Sequence, residues 1–339
     1  MNRSRRMFKA PPALDGLPTR PDPTFSVVIA VFNGVETIAE AIESALAQTI
    51  APFELIVCDD GSTDGTGAVV EAYGDRVRYL RKDHGGVAST WNVALEMAVG
   101  EFFAVLGADD VYEPERLEAL TELASARPDL DLLCTDATFE RDGDLIGRFT
   151  SGCPFEVVNQ RAAILERCFC IAPAVRRQAL EAARGFDESV RTGSDWECAI
   201  RLIRAGAVAG LVDEPLYRYR VEDRSLTSDR VGTLRDRISF LKRVRGSYEL
   251  DPTETAALEQ SLAAQQRALV LTEAEAALRS RSRDARKRAL AVARSPGIAF
   301  RARASAVAAA IAPRVAGRIL ERRARTTGKS RLARSVPRG

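Results

Sequence analysis

The segment Phe25-Ser26-Val27-Val28-Ile29-Ala30-Val31 is short, rich in β-branched residues and closed by Asn33-Gly34, the pattern of a buried strand. After it, Ile38, Ala41, Ile42, Ala45 and Leu46 recur at helical spacing and predict an amphipathic helix. The alternation then repeats. Strands are expected over 54–58, 77–80 and 101–106, helices over 64–73 and 87–99, and another helix opening at Glu113-Pro114-Glu115. Thr63 and Asp64 suit the start of the second helix. Two further strands, 131–139 and 145–150, flank the turn Asp142-Gly143. Strand–helix alternation of this kind implies an α/β fold, with a mostly parallel sheet flanked by helices on both faces.

In such sheets ligands bind beyond the carboxyl ends of the strands. That rule selects Asn33 after the first strand, Asp59-Asp60 after the second, His84 after the third and Asp109-Asp110 after the fourth. Four polar positions thus converge on one rim. Beyond residue 150 the pattern changes, with helices expected over 157–169, 175–183 and 195–205 and a short strand over 216–221. From about residue 231 the chain is Ala- and Arg-rich with few breakers before Pro296 and Pro313, which predicts mostly helix.

At 339 residues and 46% hydrophobic content the chain can bury a substantial core, and its composition excludes a disordered protein. No apolar run approaches the ~18 residues of a membrane-spanning helix. The basic start (Arg3, Arg5, Arg6) leads into a Pro-rich stretch, not an apolar one, so no secretory signal is expected. Six cysteines without a CxxC pair, and a single histidine, do not assemble a zinc site. They read as reduced core thiols of a cytoplasmic protein. The net charge of +2 conceals a division: residues 279–339 carry 18 Lys+Arg against Asp284 and Glu321, a net of +16, which leaves −14 on residues 1–278.

The usual phosphate cradles are missing. No GxGxxG follows the first strand, and Gly328-Lys329-Ser330 has Arg323 where a phosphate loop requires glycine. Asp60, Ser62, Asp64, Gly65 and Glu71 fit a calcium-loop pattern, but a strand precedes them where that loop needs a helix. Asp109-Asp110, after the small residues Gly107-Ala108, suits a divalent cation that also carries phosphates; a solvated loop or a helix cap is the alternative. Asp195, in Gly193-Ser194-Asp195-Trp196-Glu197, is either the N-cap of a helix or a general base beside an aromatic ring. His84 either contacts a phosphate or sugar hydroxyl or is an exposed loop residue.

Taken in order, these segments resemble family 2 glycosyltransferases. The resemblance is carried by 25–33 with the helix ending Ala45-Leu46-Ala47-Gln48-Thr49, by 54–66, and by Gly85-Gly86 and Asn92. It continues through 100–110, Gly185-Phe186-Asp187-Glu188, Ser194-Asp195-Trp196-Glu197 and Tyr217-Arg218-Tyr219-Arg220. The family implies a GT-A fold and inverting transfer from a nucleotide-diphospho-sugar, expected to be a UDP-sugar. The acceptor is then a hydroxyl of a glycan or lipid-linked molecule, in cell-surface polysaccharide or glycoconjugate synthesis. It also implies that Asp60 binds the base with Ala30, Phe32 and Asn33 nearby, that Asp109 holds Mn2+ or Mg2+, and that Asp195 is the catalytic base. His84, Asp110 and Trp196 are further candidates. Three departures stand out: Gly107 replaces the first aspartate of a DxD triplet, Trp91 a frequent Arg, and Glu222 a histidine, making Glu222 a second candidate metal ligand.

The expected organisation is a disordered Pro-rich segment over 1–23, a GT-A domain over 24–230, and a helical basic extension over 231–339. An active, metal-dependent transferase is the leading reading. A degenerate nucleotide-sugar binder without activity is the alternative, and a nucleotidyltransferase a more distant one. The basic tail is expected on an anionic membrane surface, as a peripheral attachment to the inner face, and not on nucleic acid, whose approach the acidic body would oppose.

Overall fold

Strands β1 (Phe8–Lys9), β2 (Phe25–Val31), β3 (Glu54–Asp59), β4 (Arg78–Arg81) and β5 (Phe102–Gly107) are accompanied by helices α1 (Ile38–Leu46), α2 (Thr66–Glu71) and α3 (Val87–Met97). There follow β6 (Val111–Tyr112), α4 (Arg116–Ala126), β7 (Leu132–Arg141), β8 (Asp144–Arg148), the single turn α5 (Phe149–Gly152) and α6 (Gln160–Glu166). The unit closes with β9 (Ala174–Arg176), α7 (Arg177–Ala182), α8 (Ser194–Arg204) and β10 (Ala209–Arg220). This computed structural model describes residues 6–11, 22–221, 229–280, 282–312 and 316.

The ten strands form one mixed sheet of order β1-β10-β7-β9-β5-β2-β3-β4, with β6 on β10 and β8 on β7. Pairs β2–β3, β2–β5, β3–β4 and β7–β10 are parallel. The chain runs outward from β2 to β4 and then returns to the other side of β2 as β5. That reversal leaves a crevice between the carboxyl ends of β2 and β5, where Ala30 pairs with Gly107. Alternate residues of β2 (Val27, Ile29, Val31) join Ile38, Ala41 and Ile42 of α1 and Leu117 and Leu120 of α4 in one core. At ~25 cal/mol per Å2 of apolar surface, this layer is what fixes the strand ends in place.

The structure differs from the sequence expectation in three places. Residues 175–183 were expected as one helix, but Ala174–Arg176 is a strand antiparallel to both β5 and β7. Arg176 drives this: it pairs with Asp131 and Glu101, donates to the Leu130 carbonyl and stacks on Phe102, contacts that a helix would not reach. The final strand is twelve residues long, not six, and lies inside the sheet. Phe8–Lys9, within the segment expected to be disordered, pairs with Val212 and Leu211.

The chain forms two compact units, Met1–Asp223 and Arg224–Gly339. The second unit comprises α9 (Arg230–Ser247), α10 (Pro252–Arg279), α11 (Ala285–Arg294) and α12 (Phe300–Ile311). A capping box in which Asp251 and Glu254 bond each other's backbone starts α10, with Pro252 at its first position. Two small Ala-rich clusters, one around Ala277, Ala289 and Ala310 and one around Ala274, Val292 and Ala306, join α10, α11 and α12. Among the described residues no helix is long and apolar enough to cross a membrane.

Candidate active site

The loops after β2 and β3 are laced together by side chain to backbone bonds. Ser62 Oγ accepts from Asn33 N (2.8 Å), Asn33 Oδ1 from Thr63 N (2.8 Å), Thr66 Oγ1 from Gly34 N and Asp64 from Val35 N. Asn33 takes a φ of 52°, which its short polar side chain tolerates. Ser62 and Asp64 are thereby engaged, and β3 precedes them, so the calcium-loop pattern is a loop lacing. Asp64 bonds Thr66 N ahead of α2, which begins two residues later than expected.

Asp60 is only 4% exposed. Its carboxylate accepts from Lys82 Nζ (2.8 Å), Gly85 N (2.9 Å) and Gly86 N (2.8 Å), and His84 Nδ1 lies 2.9 Å away. Burial alone would raise this carboxyl, but the bonds from Lys82, Gly85 and Gly86 outweigh it and hold Asp60 below the ordinary carboxylate value. The group therefore organises the 82–86 loop. His84 in turn stacks on Phe32, with ring centroids 4.3 Å apart, and Phe32 is 48% exposed. Ala30, Phe32, Asn33, Asp60 and His84 thus come together as one wall of the crevice. Lys82 belongs to that wall too; the sequence reading passed over it in favour of His84, although it follows β4 directly.

On the other side of the crevice, Asp110 is 4% exposed and accepts from the Tyr217 hydroxyl (2.5 Å) and Arg220 N (2.9 Å). Tyr217 also accepts from Gly107 N at 3.1 Å. Burial, with neighbouring Asp109 adding to it, pushes Asp110 up to about 7, and burial raises Asp109 as well. A carboxylate pair of this kind, one member buried and the other half-buried, gains from a nearby positive charge. Among the described residues no cluster of three or more ligating side chains exists. The donor set fits a hard cation that keeps most of its shell on phosphates and water, and Asp109 is the carboxylate of the pair not bonded to β10. Glu222 lies outside the described residues.

Gly107 has a steric cause. A Cβ there would fall on the Asp110 carboxylate, with its Cγ 2.9 Å away and Asp109 Oδ1 at 3.1 Å. The buried Asp110 occupies the space that the first aspartate of a triplet would need.

Asp195 is exposed and is the second residue of α8. The N-cap is Gly193, at φ 83°, so the cap reading of Asp195 does not hold. Trp196 points the other way: it is 4% exposed and its Nε1 donates to Ile164 O at 2.6 Å, anchoring α8 to α6. Asn92 clamps the loop before α8 by donating to Phe186 O and Glu188 and accepting from Phe186 N, and its Oδ1 occupies the place of a Gly185 Cβ. A cavity of about 180 Å3 is lined by Asp195 together with Gly107, Asp110, Trp91 and Tyr217. Groups from α3, the end of β5, α8 and β10 meet there. A carboxylate on a helix start that lines one cavity with the buried Asp110 can accept a proton there.

The family model described as Glycosyl transferase family 2 matches residues 26–182. An uncharacterized glycosyltransferase of Rickettsia typhi is 28% identical over 228 residues, which cover 63% of this chain and 69% of that protein. The chondroitin synthase of Escherichia coli is 30% identical over 190 residues, 54% of this chain but only 27% of that longer protein. Among solved structures, S. aureus TarS 1–349 in complex with UDP-GlcNAc superimposes with a TM-score of 0.61 at 18% identity, over 89% of this chain and 92% of that one. The mannosyltransferase PcManGT of Pyrobaculum calidifontis, in complex with GDP-Man and Mn2+, gives 0.58 at 21% identity, over 92% and 90%. At these identities the structures establish the fold.

Replacing Gly107 tests the steric account. Gly107→Ala is expected to lower stability by roughly 1–3 kcal/mol, as overpacking does, and a thermal melt reads it. An unchanged midpoint would mean that Asp110 moves aside freely.

Proposed function

We propose that the chain is a glycosyl transferase of family 2, whose model matches residues 26–182, and that it moves a sugar from a nucleoside-diphosphate donor, read as a UDP-sugar, to a hydroxyl of a glycan or lipid-linked acceptor, with inversion at the anomeric carbon. The observation that carries this reading is the convergence of Asp195 with Gly107 and Asp110 on one cavity. Asp195 accepts the proton of the attacking hydroxyl. The wall formed by Phe32, Asn33 and the Asp60-ordered loop receives the nucleotide, with the Phe32–His84 stack offering a flat apolar face to a base. Asp109 would hold a divalent cation, Mn2+ or Mg2+, whose positive charge would stabilise the leaving group. Asp110 positions that strand end through Tyr217 and Arg220. Gly107 gives no support to an inactive nucleotide-sugar binder, because its place is taken by Asp110 and not merely left empty. Synthesis of a polysaccharide or glycoconjugate is the context we propose, in line with the names of the synthases it resembles.

We place this activity in the cytoplasm, at the inner face of a membrane. The support is the charge of +16 over 279–339, together with exposed Val307 and Ile311 on α12. Polybasic segments gain about 1 kcal/mol per Lys or Arg near anionic lipid.

Three outcomes follow. Asp195→Asn should lower turnover at least ~100-fold while donor affinity stays within a few fold; near-wild-type transfer would remove Asp195 from the chemistry. Asp109→Ala should abolish the manganese-dependent part of donor binding in calorimetry. A wild-type protein indifferent to chelator would contradict the metal assignment. In cosedimentation, the full chain should bind anionic but not neutral vesicles, in a salt-sensitive way, and a chain ending at Leu278 should not; equal binding by both, or by neither, would refute the membrane role.

A further inference from the structure

The cavity beside Asp195 is not built like the rest of a sugar site. Much of its lining is apolar, including Val105, Leu132, Pro173, Val175, Ala199 and Leu202. A sugar hydroxyl pushed against such a wall would lose water without replacement. A methyl group would gain from the same burial. Size narrows the occupant further. About 180 Å3 is well below the 300–1,000 Å3 typical of pockets that enclose a whole drug-sized ligand. It suits one substituent of a sugar.

Trp91 supplies the polar half of the argument. It lines the cavity and packs against Phe186 with ring centroids 4.9 Å apart. Its indole Nε1 is buried and has no hydrogen-bond partner among the described residues. A buried donor without an acceptor is costly, and an indole nitrogen donates only. What would relieve it is an acceptor oxygen carried by a ligand next to an apolar tip. An acyl group has that constitution: a carbonyl oxygen beside a methyl. Cys198, also on the wall, does not compete as a nucleophile, because burial pushes its thiol up to about 12.

We propose that this cavity seats the N-acyl group of an acylamino sugar, with the carbonyl accepting from Trp91 Nε1 and the methyl against the apolar wall. The proposal rests on the reading of the site as a sugar-transfer centre and adds the class of sugar it selects. Such a group arrives either on the donor sugar or on the terminal sugar of the acceptor, and the experiment separates the two.

The full-length protein with Mn2+ is titrated calorimetrically with UDP, UDP-GlcNAc and UDP-glucose. With UDP present, it is then titrated with the methyl β-glycosides of GlcNAc and glucose. Either the donor pair or the acceptor pair should show at least about tenfold preference for the acylated member, and Trp91→Phe should reduce that preference to about twofold or less. Ala199→Leu, which fills the cavity, should do the same, and thermal melts establish that both variants fold. No preference in either pair, or a preference kept intact in Trp91→Phe, overturns the proposal while leaving the transfer reading in place. Failure of UDP and of both UDP-sugars to bind the wild-type protein overturns the transfer reading and this proposal with it.

Discussion

Asp110 accepts hydrogen bonds from the Tyr217 hydroxyl and the Arg220 amide, across more than a hundred residues of sequence. Those two bonds join the end of β5 to β10, and so tie the first parallel half of the sheet to the second. Burying a carboxylate costs several kcal/mol, and bonds to a charged group return about 1.5–3 kcal/mol each. The balance is close, which is why burial and Asp109 bring Asp110 up to about 7. The consequences spread outward. Gly107 must lack a side chain, Tyr217 must keep its hydroxyl buried, and Asp109 is the carboxylate of the pair not bonded to β10. Arg116, fully buried, lies over the rings of both Tyr112 and Tyr217 at 4.6 and 4.9 Å and braces the same tyrosine.

Much of this was legible in the chain. The buried strands Phe25–Val31 and Phe102–Gly107 declare themselves as short β-branched or aromatic runs, and the helix over Ile38–Leu46 by its spacing. Strand-end position alone gathered Asn33, Asp60, His84 and Asp109-Asp110. Periodicity failed at Ala174–Arg176, because a three-residue strand is too short to show a period of two, and its formation depends on the remote partners Asp131 and Glu101 of Arg176. It failed also for β10, where polar Asp213 and Glu214 interrupt the run although the strand continues in the sheet.

Side-chain roles were the less legible part. Asp60 and Asp64 look alike in sequence, yet one gathers Lys82, Gly85 and Gly86 while the other bonds its own neighbours and Val35. Asp195 and Trp196 are adjacent, yet on α8 they face solvent and core respectively. Such differences arise from which backbone amides the fold delivers to each carboxylate. No local pattern encodes them. Gly107 shows the reverse case: a departure from a familiar triplet reads as loss until the volume of Asp110 is placed beside it.

The central claim is that these carboxylates serve one direct displacement at the anomeric carbon, with Asp195 as the base on the acceptor side. Proton NMR of the first-formed product reads this without reference to any variant. From an α-linked nucleotide-sugar, the account predicts a β-linked product, recognised by the large anomeric coupling of a gluco-configured sugar. An α-linked first product would contradict it.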